Sequence, residues 1–393
     1  VARLVALRFP HPTAMLAALD QVWSDGDVAL PLDPSAPDAV TDALLARLRP
    51  GALRSTSGTE PTGHDTTVPD GAALVIATSG TTGQRTGVVL SHAALAASTS
   101  LSRARLEAAD GVPWLGVLPL HHVAGISVVL RSRAAGRAPA LHQRATAAVI
   151  NAAEPSWISL VPTQLGQLLD VGADLARHAG VVLGGAAAPP GLLQRADARG
   201  VHVVTSYGAT ETCGGCVYDG RPLDDVAVRL DDAGRIELRT PTAATGLWRG
   251  DGTLDPVVDN DGWWRTSDLG RLEDGVLSVL GRADDVVVSG GENVPLAPVR
   301  TALATVQGLA ASGVVGLPHE RWGTSVTAVV VAEHHQSAPS LAELREALRP
   351  VLDPAHLPTG LVVAASLPHD AMGKLTPAAV ASSVTTGSAT LET

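Results

Sequence analysis

Apolar positions recur at helical intervals in the first fifty residues. Leu16, Leu19 and Trp23 fall on one stripe, and Val40, Leu44, Leu45 and Leu48 on another. This spacing predicts helices over Thr13–Trp23, with Thr13 as N-cap, and over Asp38–Leu48. Residues 51–71, rich in Gly, Ser, Thr and Pro, predict a loop. The pattern then shifts to short apolar runs: Ala72–Ala77, Trp114–Leu118, Trp157–Val161, Val181–Leu183 and Val201–Val204. They alternate with helical stretches, such as one beginning at Ile126–Arg133, which predicts a mostly parallel sheet flanked by helices. Ligands of such sheets gather beyond the carboxyl ends of the strands. Here those places are residues 78–83, 119–125, 184–189 and 206–211, where glycine, hydroxyls, His and Glu concentrate.

From about Val226 the pattern becomes β-rich, and Val226–Leu230, a turn at Asp231–Gly234 and Arg235–Arg239 predict a hairpin. After Gly281 a smaller unit begins, with helices near Ala297–Thr305 and Ser340–Leu348 and strands near Ser312–Gly316, Val326–Val331 and Leu361–Ala365. The expected fold is α/β: a large N-terminal domain (1–281) with mostly parallel sheets and a β-rich subdomain, then a small α+β domain (282–393). The small, polar tail from Ser382 reads as disordered.

Composition removes several classes of function. With 45% hydrophobic and 17% charged residues, the 393-residue chain has material for packed cores and is not a disordered one. No apolar run reaches the roughly 18 residues that span a bilayer. Val1–Phe9 carries Arg3 and Arg8 and meets Pro10, so it does not read as a signal peptide. Two cysteines do not make a disulfide framework. A cytoplasmic protein without membrane insertion is expected. The net charge of -11 argues against a general nucleic-acid binder, so an anionic ligand must be held by local donors. Of the 28 basic residues Lys374 is the only lysine, which demands a chemical reason for it at that site.

Four motifs offer chemistry. Thr78-Ser79-Gly80-Thr81-Thr82-Gly83 follows a predicted strand, where turn N–H groups and hydroxyls converge on phosphate oxygens; it lacks the pattern of a Walker A loop. Ser206-Tyr207-Gly208-Ala209-Thr210-Glu211 offers an aromatic face for a base, a hydroxyl for phosphate and a carboxylate for Mg2+. Asp268 suits ribose hydroxyls, and Arg282 suits a phosphate. Taken singly, each also fits an ordinary polar turn or surface ion pair. Cys213-Gly214-Gly215-Cys216 has redox spacing but lacks a thioredoxin context and reads as two small residues near the nucleotide loop.

These motifs, with Gly373-Lys374, occur in the order found in the adenylate-forming superfamily of acyl-CoA synthetases, peptide-synthetase adenylation domains and luciferases, which the chain resembles along nearly its whole length. Leu118-Pro119-Leu120-His121-His122-Val123-Ala124-Gly125, Leu160-Val161-Pro162-Thr163-Gln164-Leu165 and Gly184-Gly185-Ala186-Ala187-Ala188-Pro189 resemble the o-succinylbenzoate–CoA ligases of menaquinone biosynthesis. The resemblance implies ATP, Mg2+ and CoA as co-substrates and an acyl-adenylate intermediate. It implies that Thr78, Ser79, Gly80, Thr81, Thr82 and Gly83 hold pyrophosphate, that Tyr207 and the backbone of Gly184, Gly185 and Ala186 flank adenine, and that Gly208 belongs to the ATP site. Thr210 would touch the α-phosphate, Glu211 the metal, and Asp268 and Arg282 the ribose. Lys374 would bridge the acid and the α-phosphate; an ammonium is a compact charge, where Arg is a wide fork. His122, Thr163 and Arg131 would line the acid pocket, with Arg131 nine residues beyond His122 meeting a second carboxylate. A mobile small domain would turn at Asp284 and bring Gly290 and Gly291 beside the thiol arm of CoA. One position departs from the family: Thr86 stands where the phosphate loop usually has lysine, with Arg85 adjacent. A ligase for another acid, a carrier-loading enzyme and a non-catalytic nucleotide binder are the alternatives.

Overall fold

The structure, a computed structural model, describes residues 2–64, 68–79, 85–188, 190–333, 337–368 and 377–392. Its contacts divide the chain into two compact units. One comprises Val1–Arg229, Glu237–Arg265 and Glu273–Leu277; the other comprises Leu230–Ile236, Thr266–Leu272 and Ser278–Thr393. The first part of the larger unit is built on two sheets rather than one. Eight strands form the first, in the order 254–255, 246–248, 85–91, 72–79, 28–31, 4–8, 52–55, 58–61. Seven form the second, in the order 221–222, 214–218, 203–209, 180–183, 157–160, 114–116, 140–141. The second sheet is parallel from 203–209 to 140–141, as the alternation predicted, and turns antiparallel at 214–218.

Two helices, His92–Arg105 and Val123–Ala134, pack toward both sheets. Val123, Ile126 and Val129 join the core of the first sheet, while Val128 joins Trp114, Trp157, Val182, Val204 and Tyr218 on the second. A helix apolar on all sides is one that is buried on all sides. The far face of the second sheet is covered by Ala147–Ala152, Pro162–Asp170 and Pro190–Asp197, through Ile150, Leu165, Leu169 and Ala196.

Several expectations need correction. The first helix is Pro12–Ser24 with His11 as N-cap; Pro12 takes the opening position, where its missing N–H costs nothing. Residues 51–71 contain a hairpin, Ala52–Ser55 with Gly58–Pro61, whose exposed second strand carries no apolar alternation to reveal it. Leu4–Arg8 and Val28–Pro31, short and almost wholly buried, form parallel strands without any alternation of their own.

The strands 227–230 and 235–239 lie side by side as predicted, and the chain divides into its units within this region. In the smaller unit, Leu309–His319 pairs with Gly323–Ala332, which pairs in parallel with Gly360–Ala364. Leu296–Leu303 and Leu341–Leu348 cover that sheet, the latter capped by Ser340. The tail is ordered: Pro377–Thr385 is a helix that buries Val380 completely, and Ala389–Glu392 adds an edge strand to Gly360–Ala364. Among the described residues no helix is long and apolar enough to cross a membrane.

Candidate active site

The strand Val203–Ala209 runs through the nucleotide motif instead of ending before it. Tyr207 therefore sits on a strand, opposite Val217, with a register shift between Tyr207 and Gly208. Two glycines make this possible. A Cβ on Gly208 would lie 2.0 Å from the Gly214 carbonyl oxygen, and one on Gly184 would lie 2.6 Å from Ser206 Oγ. Gly185, at φ +82°, turns the chain away from the neighbouring strand, and Ala186 beyond it is exposed.

Past Ala209 the chain enters a short 3-10 turn, Thr210–Thr212. The Thr212 hydroxyl accepts from the Ala209 N–H at 2.9 Å and faces the Gly214 carbonyl at 2.8 Å; Cys213 closes the turn at φ 52°. The Glu211 carbonyl accepts from the Ala244 N–H at 2.8 Å. This pins Thr210 and Glu211 at the strand end. Glu211 lines a cleft of about 370 Å³ with Glu237, Asp259, Trp263 and Arg265. Glu237 accepts from Arg229 at 2.6 Å, and Arg229 stacks 4.0 Å over Trp263.

Of the phosphate motif, Thr78 and Ser79 end the strand Ala72–Ser79, and the Thr78 hydroxyl donates to the Thr86 carbonyl at 3.4 Å. Gly80, Thr81, Thr82 and Gly83 lie outside the described residues, as does Lys374.

His122 stands at the N-cap of the Val123–Ala134 helix, and its ring lies 4.4 Å from that of His121. Burial pushes the His121 imidazole down to about 4; the neighbouring His122 adds to this and Asp33 opposes it. Burial likewise lowers His122, against Asp33. Thr163, in the first turn of Pro162–Asp170, is exposed.

Arg131 is 4% exposed. Its Nε donates to Ser102 Oγ at 2.9 Å, a terminal nitrogen donates to the Tyr218 hydroxyl at 2.9 Å, and the guanidinium lies 5.1 Å from the centre of the Trp114 ring. Ser102 and Tyr218 are fully buried. Sequence reasoning missed both, since they lie 29 and 87 residues from Arg131 and no local spacing connects them.

In the smaller unit, Asp268 lies inside a strand, and its N–H donates to Thr266 Oγ1 at 3.0 Å. Arg282 ends the strand Val276–Arg282, and Ala283–Asp285 forms a 3-10 turn that contains Asp284. The Asp284 side chain is outside the described residues; Asp285 pairs with Arg300 at 3.0 Å. Gly290 and Gly291 turn the chain at φ +61° and +89°. A Cβ at Gly290 would meet Trp322 at 2.9 Å, whereas the space beside Gly291 is open.

Among the described residues no group of three or more His, Cys, Asp and Glu gathers to hold a metal. Mg2+ is usually bound through one or two carboxylates and substrate phosphates. Glu211 shares its cleft with Glu237 and Asp259, a donor set that suits such a cation. Cys213 and Cys216 are buried, and burial pushes both thiols up to about 12.

A parallel sheet, a strand end that carries an aromatic, a hydroxyl and a carboxylate, and a separate α+β unit define a nucleotide-binding enzyme. The chain belongs to the AMP-binding enzyme family: the model of that family matches residues 13–242, and the model of the AMP-binding enzyme C-terminal domain matches residues 299–374. It is 37% identical to a Mycobacterium tuberculosis protein named "Probable 2-succinylbenzoate–CoA ligase", over 95% of this chain and 97% of that one. It is 32% identical to the indoleacetate–CoA ligase of Aromatoleum aromaticum, over 78% and 66% of the two chains. The o-succinylbenzoate CoA synthetase of Bacillus subtilis, solved in complex with its acyl-adenylate intermediate, superposes with a TM-score of 0.82 at 26% identity, over 95% of this chain and 87% of that one.

Proposed function

We propose that the protein is an ATP-dependent acid–CoA ligase that converts o-succinylbenzoate, ATP and CoA to o-succinylbenzoyl-CoA, AMP and pyrophosphate. The observation that carries the choice of acid is Arg131, a buried guanidinium for which no described ion pair supplies a carboxylate. Isolated buried charge is costly. A substrate with one carboxylate for the chemistry and one to spare supplies the missing anion.

In the first half-reaction the succinyl carboxylate attacks the α-phosphate and pyrophosphate leaves; in the second, the CoA thiol displaces AMP. Such chemistry rests on positioning and on charge stabilisation. Tyr207, with the Gly184–Ala186 backbone, flanks adenine, and Asp268 and Arg282 hold the ribose. Thr210 donates to the α-phosphate, and Thr78–Gly83 cradles the leaving phosphates. Lys374 joins the two reacting anions in the first half-reaction, and Gly291 lets the thiol arm pass in the second. Mg2+ supplies charge neutralisation for the phosphates, and Glu211 would hold it. His122 and Thr163 complete the acid pocket. ATP and CoA as substrates suit a cytoplasmic location.

Mass spectrometry of products from ATP and CoA with o-succinylbenzoate, indoleacetate or 3-benzoylpropionate tests this reading. The last acid lacks the ring carboxylate. The dicarboxylate should be strongly preferred, and Arg131→Ala should erase that preference while leaving the KM for ATP nearly unchanged. Losing one partner of a buried charge pair costs about 2–5 kcal/mol. The similarity to an indoleacetate ligase supports a second reading, an aryl monocarboxylate as substrate, and preference for indoleacetate would establish it. Absence of pyrophosphate release with any acid would point instead to the Thr86 replacement and a protein that binds without turnover.

A further inference from the structure

Arg131 belongs to a chain of hydrogen bonds that is rich in donors and short of acceptors. The Ser102 hydroxyl donates to the Thr99 carbonyl at 3.2 Å and accepts from Arg131 Nε at 2.9 Å, so its proton and one lone pair are used. The Tyr218 oxygen accepts from a terminal nitrogen of Arg131 at 2.9 Å. Three donors then remain without an acceptor among the described residues: the Tyr218 phenolic proton, the second terminal nitrogen of Arg131 and the Trp114 indole N–H. Bulk water does not reach Tyr218 or Trp114, both 0% exposed. Buried donors left unpaired are costly, and a positive charge among them raises the cost. Such a cluster asks for an anion.

Helix geometry sets it against the strand that follows the Tyr207–Glu211 turn. Ser127 and Arg131 are four residues apart and share one face of the Val123–Ala134 helix. That face meets the strand Gly214–Tyr218: a Cβ on Gly214 would lie 3.5 Å from Ser127 Oγ. Along this strand, Tyr218 sits opposite Ser206, the neighbour of Tyr207.

We propose that Tyr218 is a specificity-determining residue whose phenolic O–H donates to the ring carboxylate of the acid while its oxygen holds the Arg131 guanidinium in place. The inference rests on the reading of Arg131 as the cation for that carboxylate and goes beyond it by assigning a second donor. Ser102, whose proton is already committed, acts only as a positioning residue for the guanidinium.

Tyr218→Phe removes the hydroxyl and keeps the ring in its apolar cluster. The KM for o-succinylbenzoate should rise about tenfold or more, as expected for a lost hydrogen bond to a charged group. The kcat, the KM for ATP and all constants for 3-benzoylpropionate should stay within about twofold, on the scale set by that same lost bond. A purely structural role would shift both acids alike, and that result overturns the proposal. If Arg131→Ala erases the preference for the dicarboxylate and Tyr218→Phe retains it, the Tyr218 assignment falls and the acid-site reading stands. If neither variant changes the preference, both fall.

A measurement on the unsubstituted chain covers a variant that fails to fold. The sequence has two tyrosines, so 3-fluorotyrosine labelling gives two fluorine resonances. The one unmoved by AMP should shift with o-succinylbenzoate and not with 3-benzoylpropionate; no shift with either acid overturns the proposal.

Discussion

Arg131 and Arg133 lie two residues apart on one helix and meet opposite fates. At 100° per residue they point to nearly opposite sides. Arg133 reaches Asp20 at 2.6 Å on the surface, and Arg131 is buried against Ser102 and Tyr218. In the sequence Arg131 is set apart by its place nine residues beyond His122, a match that Arg133 lacks. The packing of a helix that meets both sheets then separates the two side chains. His121 shows the same effect of burial in its titration. Its imidazole falls from the ordinary 6.5 to about 4, so it is neutral in the folded protein. Between those values the unfolded chain binds more protons, so this residue contributes stability that grows as pH rises through the window and is lost as pH falls toward 4. His121→Gln should therefore flatten the dependence of Tm on pH between about 4 and 6.5 relative to the unsubstituted protein. Melting curves across that range decide it: an unchanged slope means that His121 is not a source.

The Val123–Ala134 helix depends on one glycine for its docking. A Cβ on Gly125 would lie 2.2 Å from the Pro119 carbonyl oxygen and 2.7 Å from its carbon, both backbone atoms that cannot swing aside. Gly166, in the Pro162–Asp170 helix, meets nothing nearer than Leu192 Cδ1 at 3.8 Å. Alanine in a helix ordinarily gains up to about 1 kcal/mol over glycine. Gly166→Ala should thus be neutral or stabilising, while Gly125→Ala should cost about 1–3 kcal/mol, as overpacking does, and disturb the His121–His122 loop. Urea unfolding midpoints of the pair test this; a stabilised Gly125→Ala would show that the loop yields freely. The elements also mark how far the sequence is legible. The structure adds the capping box of Ser340 and Glu343 to the Leu341–Leu348 helix, but that helix and the parallel strands of the second sheet follow from the apolar pattern. The 52–61 hairpin does not, because its second strand buries nothing. Nor does the extension of Val203–Ala209 through Tyr207, because its residues from Thr205 on are all half-buried and carry no alternation of apolar and polar positions.

At the scale of the whole chain, the order of motifs carries more than any one of them. The phosphate motif, the Tyr207–Glu211 turn, Asp268, Arg282 and Lys374 are individually unremarkable, and Asp268 and Arg282 belong to a different compact unit from Tyr207. The division within strands that continue from one unit to the other follows contacts distant in sequence, which no local pattern encodes. Lys374 and Asp284 are the residues through which the smaller unit is proposed to serve one half-reaction and then the other. Lys374→Ala should abolish formation of the acyl-adenylate yet spare thioester formation from a supplied acyl-adenylate. Asp284→Pro, which fixes φ within the Ala283–Asp285 turn, should impair one half-reaction far more than the other. Single-turnover assays of each half-reaction give the answer: equal loss of both in the folded Lys374 variant, or unchanged rates in the Asp284 variant, removes the assignment concerned.

The two cysteines have a bearing on chemical self-protection. An acyl-adenylate is an acylating agent that any accessible thiolate intercepts with release of AMP, and the disulfide form of CoA exchanges with accessible protein thiolates, releasing one CoA thiol. In this chain both thiols are enclosed and held protonated far above neutral pH. Self-acylation and capture of CoA are therefore confined to moments when the fold around Cys213 opens. In the closed fold, the reactive sulfur available to the intermediate is the one that CoA brings.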